Sequence, residues 1–338
     1  MSSKSSGSQA KPERVIGTYL YPLGLFGQRP PVPTSLIVSG DFSSLKPNYG
    51  WYSEVLCRIT TDSHEVMVTR MSGLFVRPPD TFSDITKLPY GELPPDYEDK
   101  RRFQEDVARS FNLLICELAF RGVVSEPAAP AQIAGGEYQD GHAIITRGHE
   151  SYRDRQTSPW ERLTKGDVSD WTTRSEAALV KATRLSRAKQ LASISPSVPA
   201  FVAGAYSRFS QGQMSEALLD SWIVVEQLLN HLWKTYTSKL PDTDEPSTKK
   251  DDRRKKRLED TRTYSASVRA EVLLTANIIP VGLYNQIQKA RKHRNDLAHG
   301  AKTDTPGAKH CLATMKAVID FLCKTTVEPP SVTEQLSW

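Results

Sequence analysis

The stretch Ser215–Tyr236 reads SEALLDSWIVVEQLLNHLWKTY, and its period decides the second half of the chain. At about 100° per residue, Leu218, Trp222, Val225, Leu229 and Leu232 fall within an arc of about 80°, the apolar stripe of a helix packed on one side. Neither proline nor glycine interrupts it. Toward the C-terminus, Ser265–Thr275 is again helical and Pro280 breaks the pattern. Leu283–His299 forms the next helix, with Gly300 in the position after its end where a left-handed residue is common. A turn at Pro306-Gly307 precedes a last helix over 308–323, on which Cys311, Met315, Val318 and Leu322 share a face and pack. Upstream, Val202–Phe209 reads as a short helix and Glu176–Ser193 as a helical pattern, with a break marked by Pro196 and Pro199. Strand signals disappear from about Trp171, so residues 172–338 are predicted to be all-α.

The first half differs. Residues 1–14 are rich in Ser, Lys and Gly and are expected to form a disordered tail, with no apolar core of a secretory signal. From Val15 to about Val76, short β-branched and apolar runs alternate with Pro and Gly: VIGTYLY, TSLIVSG, WYSEVLCRIT and EVMVTRMSGLFV. Residues 77–95 carry five prolines and read as a loop. In Asp96–Phe120 the period changes, with Phe103, Val107, Phe111, Leu114 and Leu118 on one helix face and Arg121-Gly122 at its end. A Pro/Ala/Gly stretch follows, then a strand at His142–Thr146. The fold class is therefore α+β: a mixed domain over 15–171 of no nameable fold, followed by a helical bundle over 172–338.

Length (338 residues), apolar content (38%) and charge (25%) suit a globular protein and exclude a wholly disordered chain. No run of about 18 apolar residues is present, so no membrane partner is expected. The four cysteines (57, 116, 311, 323) have no CxxC and no framework spacing, which argues against a zinc ribbon or disulfide scaffold and makes a reducing cytoplasm the default. No P-loop, G-x-G-x-x-G or G-x-S-x-G occurs, so nucleotide hydrolysis, dinucleotide redox and α/β-hydrolase chemistry lack support. The net charge of +5 is 44 Lys and Arg less 39 Asp and Glu, and KKDDRRKKR at 249–257, with seven bases and two acids, carries all of it. Lys249, Lys250, Arg253, Arg254, Lys255, Lys256 and Arg257 are thus candidates for RNA-backbone contact, the alternative being a solvated loop.

The stretch with chemistry in it is KARKHRNDLAHG, Lys289–Gly300. Arg294 lies within about 40° of Leu283, Ile287 and Ala290, so a guanidinium sits on the packing face. Such a group is costly unless it meets a carboxylate, a phosphate or an interface. His299 follows Asn295 by four residues, close enough for the amide to hold the imidazole, and stands in the last helical turn, whose dipole favours a protonated ring. Arg294 and His299 are about 140° apart around the axis, so one copy of the helix cannot bring both to a small target. Two antiparallel copies can, which argues for a homodimeric site.

Arg294-Asn295-x-x-x-His299 at a helix end resembles the signature of the HEPN superfamily. SEALLDSWIVVEQLLNHLW resembles that family's long core helix, and VRAEVLLTANIIPVGLYNQIQKARKHRNDLAHG resembles the helix-turn-helix leading into the motif. The likeness is closest to the Apea-like branch of bacterial phage-defence proteins and spans roughly 199–325; the excursion at 239–259 is longer than a minimal HEPN connection. The resemblance implies a dimerising helical bundle that, in active members, cleaves RNA without metal or other cofactor and leaves 2′,3′-cyclic phosphate. Carried over, Arg294 would hold the scissile phosphate, Asn295 would orient the histidine or the phosphate, and His299 would act as general base or acid. It further implies antiphage defence or a toxin's role, with the first half sensing a trigger or restraining the nuclease, and an antitoxin as a conceivable partner. The rival readings are a non-catalytic module that binds RNA or dimerises, and a first half that is itself the enzyme.

Glu226, at the edge of the long helix's stripe, is a candidate carboxylate for Arg294; the alternative is a half-exposed surface glutamate. Asp296 is a supporting candidate, and Arg291 and Lys292 are candidate RNA contacts beside the motif, where His293 adds charge. His142 and His149, near Asp140 and Glu150, fit no metal-ligand spacing and are expected to be surface histidines. Trp51, Trp160 and Trp171 are expected to pack.

Overall fold

The computed structural model describes residues 12–21, 24–27, 49–82, 96–147, 172–240, 258, 260, 264–300 and 305–324. They divide into two compact units, residues 1–185 and 186–338.

The first unit is built on a six-stranded antiparallel sheet with the order β3-β4-β5-β1-β6-β7. The strands are β1 Glu13–Tyr19, β3 Val55–Thr60, β4 Glu65–Thr69, β5 Gly73–Val76, β6 Ala134–Gln139 and β7 His142–Arg147. The two edge strands meet at one end. Glu54 and His142 form an antiparallel bridge, and the Val55 N–H donates to the Gly141 carbonyl at 2.8 Å, so the sheet curls on itself. Inside lie Val15, Tyr19, Met67, Met71, Phe75 and Ala143, with Trp51, Tyr52 and Tyr138 packed against them. Gly17 pairs with Phe75 across β1 and β5, and any side chain there would collide with the Phe75 ring and the Leu74 carbonyl. Helix α2 (Tyr97–Ala119, after the short α1, Tyr49–Ser53) buries Val107, Phe111, Leu114 and Leu118, the stripe expected from the period. Gly122 after its end has φ 79°, the left-handed turn expected there.

Three expectations for this half need correction. Trp51 begins no strand but lies in α1, with β3 starting only at Val55. Residues 13–14, counted in the tail, open β1. The boundary at 172 falls inside the first unit, because β8 (Thr172–Arg174) pairs in parallel with β2 (Gly24–Phe26). Helix α3 (Glu176–Ala182) follows β8 and packs on α2. Arg70 ties this segment down: its Nε and Nη2 donate to Glu54 Oε2 at 3.0 and 2.6 Å, its Nη1 to Glu176 Oε1 at 2.8 Å, and its guanidinium lies 4.6 Å from the Trp51 ring centre. The predicted strand at 34–40, the tail before residue 12 and most of the proline-rich loop lie outside the described residues.

The second unit is a bundle of α4 (Ser186–Ile194), α5 (Val198–Ser210), α6 (Met214–Thr237), α7 (Ala266–Thr275), α8 (Val281–Ala298) and α9 (Thr305–Cys323). The helical run expected over 176–193 is broken at Leu185, which has φ 50° and a wholly buried side chain. α6 is the central helix, packed against α5, α9, α7 and α8. Leu218, Trp222, Val225, Leu228, Leu229 and Leu232 are buried on it, facing Leu283, Ile287 and Ala290 of α8 and Cys311, Met315, Val318 and Ile319 of α9 among others. Burial pushes the Cys311 thiol up to about 12 and the Cys57 thiol to about 11, so both are protonated, and none of the four cysteines is in a disulfide. No helix among the described residues is long and apolar enough to cross a membrane.

Candidate functional site

The motif occupies the last turns of α8. The helix is anchored by Leu283, Ile287 and Ala290, and the same period carries Arg294 toward the bundle, where it is half-buried. Its Nη1 donates to Asn295 Oδ1 at 3.2 Å. Among the described residues that is its one hydrogen bond, and no carboxylate pairs with it. A guanidinium that is partly withdrawn from water and matched only by an amide keeps its full charge available to an anion.

His299 caps the helix. Its backbone N–H donates to the carbonyls of Asn295 at 3.0 Å and Asp296 at 3.2 Å, and Gly300, at φ 87°, turns the chain away. The imidazole is exposed and has no side-chain partner among the described residues. The expectation that Asn295 holds the histidine needs correction: its amide oxygen is taken by Arg294, and no hydrogen bond joins it to the exposed His299 ring among the described residues. Asp296 is exposed and unpaired among the described residues. Arg291 donates from Nε to Gln288 Oε1 at 3.1 Å, and Lys292 is exposed. Apart from Asp296 the charged side chains in the last turns of α8 are all basic: Lys289, Arg291, Lys292, His293 and Arg294.

Glu226 does not meet Arg294. It is half-buried on α6, and its charge acts on Arg269 of α7, the residue the sequence reading overlooked. Arg269 is buried, donates from Nη1 to Asn230 Oδ1, and leaves its Nε without a partner; burial lowers its proton affinity against the pull of Glu226. The signal for it was its place beside Ala270 and one turn before Leu273, both buried. His293 is more than an added charge: its ring stands 5.7 Å from that of His310 on α9.

The histidine expected on the surface of the first unit is part of the sheet's seam. His142 is half-buried, with Nδ1 3.3 Å from Ser53 Oγ. No group of three or more His, Cys, Asp or Glu side chains suited to a metal occurs among the described residues. Trp51 packs on Arg70 and Tyr52. His149, Glu150, Trp160, Trp171 and the basic run 249–257 lie outside the described residues. No family model, characterised protein or solved structure matches this chain.

Proposed function

We propose that the second unit is an endoribonuclease of the HEPN type, acting in the cytoplasm as a homodimer, in antiphage defence or as a toxin. One observation carries the reading: Arg294 is drawn into the bundle with an amide as its only hydrogen-bond partner and no carboxylate among the described residues. Of the three ways to satisfy such a group, a phosphate and an interface remain. Both are met if two copies of α8 face each other, one offering Arg294 and the other His299 to the same phosphodiester.

In that arrangement the His299 imidazole takes the proton of a ribose 2′-hydroxyl as its oxygen attacks phosphorus. The bond from phosphorus to the 5′ oxygen breaks, that oxygen receives a proton from water while the imidazolium returns its own to solvent, and a 2′,3′-cyclic phosphate is left. Arg294 donates two N–H groups to the non-bridging oxygens, where charge accumulates, and the Asn295 amide steadies it. The need for a 2′-hydroxyl makes RNA the substrate. The basic turns of α8 add sequence-blind attraction for the backbone.

The test is cleavage of RNA by the full chain in the presence of EDTA, with end-group analysis and molar mass in solution. We expect cyclic-phosphate ends, a dimer, and loss of about 10²–10⁴-fold in rate for His299→Ala and Arg294→Ala with folding intact. RNA retained but uncut by the wild type would replace this reading with that of a binding module. Cleavage that survives both substitutions would assign the chemistry elsewhere.

A further inference from the structure

Where α8 and α9 pack together, their side chains form a second cluster that this chemistry leaves unused. His293 on α8 and His310 on α9 face each other, with ring centres 5.7 Å apart and planes inclined by 54°. His310 Nε2 lies 3.2 Å from the Gln286 carbonyl oxygen. A carbonyl only accepts, so this nitrogen carries a proton and donates, which leaves Nδ1 as the site that titrates. Lys289 stands one turn before His293 on the same flank of α8. Lys289 and His293 are the charged groups that act on His310; none on α6 or α7 does so among the described residues, and no carboxylate acts on it. Both rings are part-exposed and Lys289 is exposed, so solutes reach all three side chains.

Three side chains able to carry positive charge therefore meet from two helices, and the one acid on α8, Asp296, is exposed and ion-paired with none of them among the described residues. Burial, together with Lys289 and His293, holds the His310 imidazole below its ordinary proton affinity. An anion bound between these groups would favour the charged form of the His310 ring.

We propose that Lys289, His293 and His310 form a phosphate subsite that takes a backbone phosphate of a single-stranded polynucleotide, next to the phosphate held at Arg294. The identity of the ligand rests on the ribonuclease reading, in which an RNA backbone lies along the basic last turns of α8. Occupation of the subsite takes up protons, so affinity rises as pH falls, by at most about tenfold per pH unit for each proton bound.

The experiment is NMR of the full chain labelled at histidine Cε1. His293→Gln and His310→Gln assign the two rings among the seven histidines. The probes are inorganic phosphate and a short 2′-deoxy oligonucleotide, which cannot be cleaved by 2′-hydroxyl attack, both at fixed ionic strength. We expect both rings to titrate at higher pH with either probe, and His310→Gln to lose the gain in oligonucleotide affinity between pH 7 and pH 6. Glutamine retains a donor to the Gln286 carbonyl, so a folding defect is not the expected cause. Titration curves unmoved by either probe would overturn the proposal, as would rings that respond to phosphate but not to the oligonucleotide. Rings that respond while the wild type never cleaves RNA would retain the subsite and remove only the nuclease reading.

Discussion

Asn295 accepts from Arg294 Nη1 at 3.2 Å, and that bond governs how the guanidinium is presented. Replacing the amide with a carboxylate of the same shape keeps the geometry and changes the charge. Asn295→Asp should pair Arg294 internally and repel an incoming phosphate, weakening RNA binding by about five- to tenfold, on the order of 1 kcal/mol for one adjacent charge near the surface. Asn295→Ala should leave the guanidinium charged but loose, so binding changes little while cleavage falls. Filter binding and single-turnover cleavage separate the two, and equal effects from both substitutions would mean that the amide only packs. The place of Arg294 on the packing face was legible from the 3.6-residue period, since Leu283, Ile287 and Ala290 mark that face. Its partner was not. Side chains at i and i+1 leave a helix in different directions, and only the length of arginine lets it bend back to Asn295, a rotamer choice no period encodes.

Helices α6 and α8 were legible almost to their ends, because each buries a stripe that repeats several times along its length, whereas α5 starts at Val198, ahead of the expected Val202, with Pro199 in its first turn and not at a break. Short elements were not. β8 has three residues, too few for a period of two to appear, and it exists because β2 offers it a parallel edge. The break between α3 and α4 is a tertiary effect: Leu185 adopts φ 50° with its side chain wholly buried, against its local preference. The pairing of α8 with α9 through His293 and His310 was equally hidden, yet it makes a prediction about pH. The folded-state proton affinity of His310 lies below the unfolded value of about 6.5, so the unfolded chain binds more protons as the solution is acidified. Stability contributed by the neutral ring is complete above the unfolded value and is lost as pH falls toward the folded one. Urea unfolding from pH 7.5 down to 5 should therefore show the wild type losing stability relative to His310→Gln. The lowered affinity of His64, in the first unit, is common to both proteins and cancels in the difference. Parallel curves would mean that His310 protonates without resistance.

For the whole molecule, the sequence divides at residue 172 by the loss of strand signals, whereas the structure divides at 185. The difference matters because the fourteen residues 172–185 carry contacts the first unit needs. β8 covers the edge of β2, whose Leu25 and Phe26 are buried, and Arg174 buries its guanidinium there, its proton affinity lowered to about 10 by desolvation. α3 adds Ala178, Leu179 and Ala182 to the buried surface, and Glu176 completes the pair of carboxylates around Arg70. Removing the segment would expose Leu25 and Phe26 at an open strand edge, delete buried Leu179 and Leu185, and leave Arg70 with Glu54 alone. At roughly 1.5–3 kcal/mol for each large apolar side chain returned to water, the loss is comparable to the whole stability of a domain of this size. A fragment ending at Leu185 should therefore unfold cooperatively in urea, and one ending at Trp171 should have a much lower midpoint or expose apolar surface in buffer. The pair of fragments differs in nothing else, so equal midpoints would show that the 172–185 segment is dispensable to the sheet and would move the boundary back to where the sequence alone puts it.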